Sequence, residues 1–204
     1  HYEVDTATGR IVFASPPAGR PALYLTTLSE PLSKVLTYLQ STRFADVSRV
    51  GQDVIYHSLA EELREHPEQL PARVEALIRQ HRPRLVVIDS FKAVADLMER
   101  TRAWRRAVYE TAALLSAYDT TTFLVGEYSA PADPAPVEFA VADGILWLQR
   151  RQAGARDDRL LRVGKLRGSA FLDGRHSFSI DASGLQVYPR LLPPAGPLGP
   201  QLTG

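Results

Sequence analysis

The stretch Arg84-Leu85-Val86-Val87-Ile88-Asp89-Ser90 decides how the rest of the chain is read. Four apolar residues rich in Val and Ile, followed by a carboxylate, suit a strand buried on both faces, as in a parallel sheet. An Asp at the carboxyl end of such a strand stands where open α/β sheets bind their ligands, in the crevice beyond the strand ends. In a nucleotide hydrolase that Asp holds Mg²⁺, usually through water. An Asp in this place also caps the following helix, and the stretch alone leaves both roles open.

Outward from this strand, the chain alternates. On its amino side, Leu70, Val74, Leu77, Ile78 and His81 mark a helical face that Pro83 ends. Further back, Ala22-Leu23-Tyr24-Leu25-Thr26-Thr27 reads as a strand, and Ser29-Glu30-Pro31 starts a helix. That helix carries Leu32, Val35, Leu36 and Leu39 as one stripe, and Val54-Ile55-Tyr56 is a short strand after it. On the carboxyl side, residues 97–118 form one strongly helical pattern with Trp104, Val108, Ala112 and Leu115 on one side. Thr121-Thr122-Phe123-Leu124-Val125 is the next buried strand, ending at Gly126-Glu127. Residues 130–136 hold three prolines and read as a loop, and 137–143 allow a short helix.

Beyond that point the pattern becomes strands only, at 145–148, 160–166, 176–180 and 185–188, divided by glycines. These read as antiparallel hairpins at one edge of the sheet. The expected fold is therefore an α/β sandwich with a mainly parallel sheet and an antiparallel C-terminal edge, over residues 1–191 as one domain. Residues 192–204, rich in Pro and Gly, read as a flexible tail. The first fifteen residues are the least legible: Tyr2-Glu3-Val4 suits a strand end, and Ile11-Val12-Phe13-Ala14 suits either a helix start or a strand.

Composition narrows the function classes. With 204 residues, the chain is long enough for one proper core. Its 24 basic and 23 acidic side chains nearly cancel, so no global field favours nucleic acid or an anionic membrane. Without cysteine, disulfides and thiolate metal sites are excluded. No apolar run reaches the length of a membrane span and no signal peptide opens the chain, so a cytoplasmic protein is expected. The only Met is Met98 and the chain begins at His1, which reads as a fragment or a processed or trimmed chain.

Four blocks resemble the KaiC-like branch of the RecA-type ATPases. Leu23-Tyr24-Leu25-Thr26-Thr27-Leu28-Ser29-Glu30-Pro31 is similar to the family's strand with a catalytic acidic pair at its end. Leu85 to Ser90 resembles its Walker B strand, and Phe139-Ala140-Val141-Ala142-Asp143-Gly144-Ile145 the segment before its edge strand. Arg162-Val163-Gly164-Lys165-Leu166-Arg167-Gly168, with Gly174, Phe178, Ile180, Gly184, Leu185, Tyr188 and Pro189, resembles its C-terminal signature, the most specific of the four.

The resemblance implies a RecA-like three-layer sandwich that binds and hydrolyses ATP with Mg²⁺ at the subunit interfaces of a homo-oligomeric ring, a hexamer. It implies that Asp89 holds the metal, that Ser90 is one of the cofactor-binding residues, and that Glu30 polarises the attacking water. Lys165 and Arg167, spaced by two on a strand, would share a face and act like an arginine finger on the neighbouring subunit's ATP. Glu127 would stand near the γ-phosphate; a loop cap is the other reading. The family's paired acids are reduced here to Ser29-Glu30.

One motif is missing. No Gly-x-x-x-x-Gly-Lys-Ser/Thr precedes Leu23. The nearest candidate is Val4-Asp5-Thr6-Ala7-Thr8-Gly9-Arg10-Ile11, which keeps Gly9 and puts Arg10 where the family has Lys. Arg is a poor replacement, because its planar fork is larger and differently placed. Two functions follow: an ATPase working at ring interfaces, regulatory or signalling in role, or a non-catalytic scaffold of the same fold, with protein partners, that has lost ATP binding.

Overall fold

The computed structural model describes residues 2–5, 10–13, 19–28, 32–43, 46–99, 101–128 and 135–191. They fall into two compact units, the first built mainly on Phe13–Asp143 and the second mainly on Gly144–Ile180. The tail at 192–204 lies outside the described residues.

The first unit is a parallel α/β sheet. Its strands are β3 (Ala22–Thr26), β4 (Val54–Ser58), β5 (Leu85–Asp89) and β6 (Thr121–Val125), in spatial order β4-β3-β5-β6. Neighbouring positions run in register, with Thr26 opposite both Ser58 and Asp89, and Asp89 opposite Val125. The helices are α1 (Leu32–Gln40), α2 (Ala60–Glu65), α3 (Leu70–His81), α4 (Phe91–Leu97), α5 (Arg102–Ala117) and α6 (Val137–Val141).

Local sequence sets these boundaries. Helix α3 stops where Arg82 turns left-handed at φ 45°, one residue before Pro83. The 97–118 pattern is not one helix. Glu99 adopts φ 49°, and the Thr101 side chain caps a new helix by accepting from the Trp104 amide, so α5 starts at Arg102. Within α5 the buried side is Trp104, Ala107, Val108, Thr111 and Leu115, with Ala112 only half-buried.

The sheet has two unlike faces. Leu23, Leu25, Val86 and Ile88 are fully buried and join one apolar cluster with Leu63, Val74, Ile78, Phe91, Val94 and Trp104 from α2 to α5. Burying such a side chain contributes about 1.5–3 kcal/mol, so this face supplies the main drive to fold. The alternate positions, Tyr24, Tyr56, Val87, Asp89 and Phe123, are half-buried. Strand β5 is thus sealed on one face rather than both, and β6, with Val125 41% exposed, is an edge strand among the described residues.

The second unit is antiparallel: β7 (Gly144–Ala153), β8 (Arg156–Leu166), β9 (His176–Asp181) and β10 (Gly184–Tyr188) pair in the order β10-β9-β8-β7. The antiparallel part expected from the sequence is present, and among the described residues it forms a sheet of its own. At the amino end, β1 (Tyr2–Asp5) and β2 (Arg10–Phe13) pair as a third, two-stranded sheet.

Candidate functional site

The order β4-β3-β5-β6 contains a reversal. After β3 the chain moves outward to β4, and after β5 it moves the opposite way to β6. Adjacent strands that part like this leave a crevice beyond their carboxyl ends, the usual binding place of open α/β sheets. The residues there are Thr26, which ends β3, with Thr27 after it, and Asp89, which ends β5, with Ser90 after it.

Thr27, Asp89 and Ser90 are tightly strapped. The Thr27 amide donates to the Asp89 carbonyl at 2.8 Å. The Thr27 hydroxyl accepts from the Ser90 amide and donates to the Ser90 carbonyl, both at 2.9 Å. The Asp89–Ser90 peptide is cis. The competing roles of Asp89 are separated here, because Ser90 is the residue that caps α4, its hydroxyl accepting from the Ala93 amide. The Asp89 carboxylate is not consumed by the cap. Instead the Tyr24 hydroxyl donates to Asp89 Oδ2 at 2.6 Å. Tyr24 in turn stacks on Tyr56, with ring centroids 4.5 Å apart and planes 20° from parallel. Burial, and then the nearby Asp89 charge, push the Tyr56 phenol above its ordinary pKa.

At the end of β6, Glu127 is exposed. The loop carrying it is held close to α4, because a Cβ on Gly126 would meet the Tyr128 ring at 2.6 Å and Lys92 Cβ at 2.9 Å. The Tyr128 hydroxyl donates to Glu138 Oε1 of α6 at 2.8 Å, and Glu138 is buried.

The cationic pair lies in the second unit. Lys165 is half-buried on β8 opposite Ile145, but β8 ends at Leu166, so Arg167 sits in the following turn and is exposed. The two are therefore not neighbours on one strand face, contrary to the sequence expectation. Gly168 follows with φ 72°, a conformation that suits glycine. The β7–β8 register shifts between Ile145 and Leu146, so that Gly164 is left unpaired as a β-bulge. The Trp147 indole closes over it: a Cβ on Gly164 would meet Nε1 at 2.7 Å and Cδ1 at 2.9 Å. Gly164→Ala should cost about 1–3 kcal/mol by overpacking, read as a lower midpoint in chemical unfolding. An unchanged midpoint would show that the bulge accommodates a side chain.

Of the other expected site residues, Gly9 and Glu30 lie outside the described residues. Arg10 opens strand β2, where a phosphate loop would open a helix. Thr27, Tyr24 and Tyr56 carry the contacts around Asp89, and sequence reading used them only as strand formers. A broad groove lined in part by Arg20, Arg82 and Tyr118 lies next to residues that precede β3 and β5, at the other end of those strands from Asp89. Arg20 there is engaged with the Arg82 and Pro83 carbonyls, and with Asp119, so it serves the fold.

The residues can be tested against a nucleotide and its Mg²⁺. Among the described residues no three acidic or histidine side chains form a cation cage. Mg²⁺ is commonly held by one or two carboxylates with water and ligand phosphates, and Asp89 fits that use. The segment 4–11 does not fit a phosphate cradle, since its described ends are two paired strands.

A parallel sheet whose order reverses beside a terminal carboxylate has the layout of the RecA-like α/β domains that bind nucleotides. The profile of the family described as "ATPase: KaiC" matches residues 37–191, well over half of the chain, and the chain belongs to that family. It is similar to the circadian clock oscillator protein KaiC of Nostoc sp., 29% identical over 120 residues. The Synechococcus elongatus KaiC is also 29% identical over 120 residues, and KaiC 1 of Synechocystis sp. is 28% identical over the same length. Each match covers 57% of this chain and 23% of the relative, so the chain spans about a quarter of those proteins. Among the described residues no helix is long and apolar enough to cross a membrane.

Proposed function

We propose that this chain is an ATP-binding and ATP-hydrolysing domain that works at subunit interfaces of a homo-oligomeric ring, a hexamer, in a cytoplasmic regulatory or signalling role. The observation that carries the reading is Asp89: it ends β5 at the strand-order reversal, and Ser90 rather than Asp89 caps the next helix. Asp89 holds Mg²⁺, which neutralises phosphate charge when bound. Glu30 orients the attacking water, and Glu127 stands towards the terminal phosphate. Lys165 and Arg167 reach the site of a neighbouring copy and stabilise charge on the transferring phosphoryl group.

The test is solution mass by light scattering with and without Mg²⁺-ATP. A shift from monomer to a closed ring supports the proposal. Asp89→Asn should abolish both the shift and Mg²⁺-dependent nucleotide binding while leaving the folded state intact. A second reading, a non-catalytic scaffold of the same fold with protein partners, is favoured by the paired strands at Tyr2–Asp5 and Arg10–Phe13 in place of a phosphate loop. It predicts no Mg²⁺-dependent turnover even at high protein concentration; turnover lost in Asp89→Asn excludes it.

A further inference from the structure

We infer that Tyr24 is the positioning residue of the Asp89 carboxylate, and that Tyr56 holds Tyr24 in place for this task. The inference rests on the reading of Asp89 as the Mg²⁺ ligand, and it adds a residue that no sequence motif marks.

Geometry comes first. Tyr24 sits opposite Tyr56 on one side and Val87 on the other, two residues short of the row that contains Asp89. Spacing of two keeps Tyr24, Val87 and Asp89 on the same face of the sheet. The long phenol spans that interval, and its hydroxyl reaches Asp89 Oδ2 at 2.6 Å. A hydroxyl donating to a carboxylate at this distance is a charge-assisted bond, among the stronger kinds in a protein. It is directional, so it selects one orientation of the carboxylate.

A carboxylate's two oxygens offer roughly four lone-pair sites, and Oδ2 of Asp89 accepts from Tyr24. Carboxylates that ligate metals are themselves hydrogen-bonded, and losing such a partner costs about 10–100-fold in metal affinity or activity. Tyr24 is such a partner here.

The stack explains why Tyr24 stays. An aromatic pair on directly opposed strand positions is favourable beyond its buried area. The nearly parallel rings fix the plane of Tyr24, and with it the direction of its O–H. Tyr56 therefore acts through its ring, which a phenylalanine reproduces.

The test is cation binding by the full chain, followed with Mn²⁺ by electron paramagnetic resonance in the presence of ATP. Tyr24→Phe keeps the stack and removes only the hydroxyl, and it should weaken Mn²⁺ binding about ten-fold without changing ATP binding measured in the absence of metal. Tyr56→Phe should bind Mn²⁺ like the parent, and Asp89→Asn should lose it. A Tyr24→Phe variant that binds Mn²⁺ as tightly as the parent, with Asp89→Asn defective, overturns the positioning role alone and leaves Tyr24 a packing residue. If the parent binds no Mn²⁺, or Asp89→Asn binds it normally, the metal role of Asp89 falls and this inference falls with it.

Discussion

Alanine in place of Arg167 should slow ATP turnover by about three orders of magnitude, with thermal unfolding unchanged. A guanidinium that meets the transferring phosphoryl group across an interface accelerates hydrolysis by roughly 10³–10⁵, and the lower end suits a residue in a turn. Arg167 is exposed and stands past the end of β8, so its loss should leave the apolar core intact. Lys165→Ala should have a smaller effect on turnover, because Lys165 is a half-buried strand residue and a compact point charge rather than a planar fork. Steady-state hydrolysis at saturating Mg²⁺-ATP and high protein concentration reads both variants. Parental rates in both would remove the cationic pair from the mechanism. A slow rate that recovers when Arg167→Ala is mixed with Asp89→Asn would show that the two residues act in different copies.

Trp104→Ala should lower the unfolding free energy of the first unit by about 3–5 kcal/mol, the usual loss for a large buried aromatic. Trp104 is 2% exposed and lies against Phe91, with ring centroids 5.0 Å apart. Phe91 opens α4, directly after Asp89-Ser90. The void would therefore form beneath the residues that fix the strand end. A domain typically has about 5–15 kcal/mol in total, so the variant should unfold at much lower denaturant, with Trp104→Phe recovering a good part. A loss below 1 kcal/mol would mean that the cluster collapses around the gap or that its neighbours already pack loosely.

Much of the first unit could be read from the chain. The Leu85–Asp89 strand, the Leu70–His81 helix and the Ala22–Thr26 strand each have an unambiguous pattern, and the structure has them at those places. The break between α4 and α5 was hidden because the apolar spacing continues across it; only Thr101, a capping residue, signals the new start. Arg167 looked like a strand residue because its spacing from Lys165 is two, and spacing does not say where pairing ends. The bulge at Gly164 depends on how β7 and β8 align, which no single-strand pattern contains.

The site itself was half legible. Asp89 stood out by its place after an apolar run. Its partner did not, because Tyr24 is 65 residues away in sequence and meets Asp89 only through the β3–β5 register. Two tyrosines in separate strands look like ordinary β-formers until the register sets one ring on the other. Thr27 was invisible for the same reason, since its bonds to Ser90 cross between strands.

The reversal of strand order also governs how the sheet is made on the ribosome. Strand β4 joins one side of β3 soon after both have emerged, but the other side of β3 waits for β5, which leaves the tunnel only after α2 and α3 have been made. Until then the apolar residues Leu23 and Leu25 belong to an open-edged pair, the kind of surface that recruits other chains. The central β3–β5 pairing is non-local, and non-local pairings form slowly. Chain order thus leaves the β5-side edge of β3 uncovered between the completion of β4 and the docking of β5, and synonymous changes that slow translation there should raise the insoluble fraction without altering a single side chain.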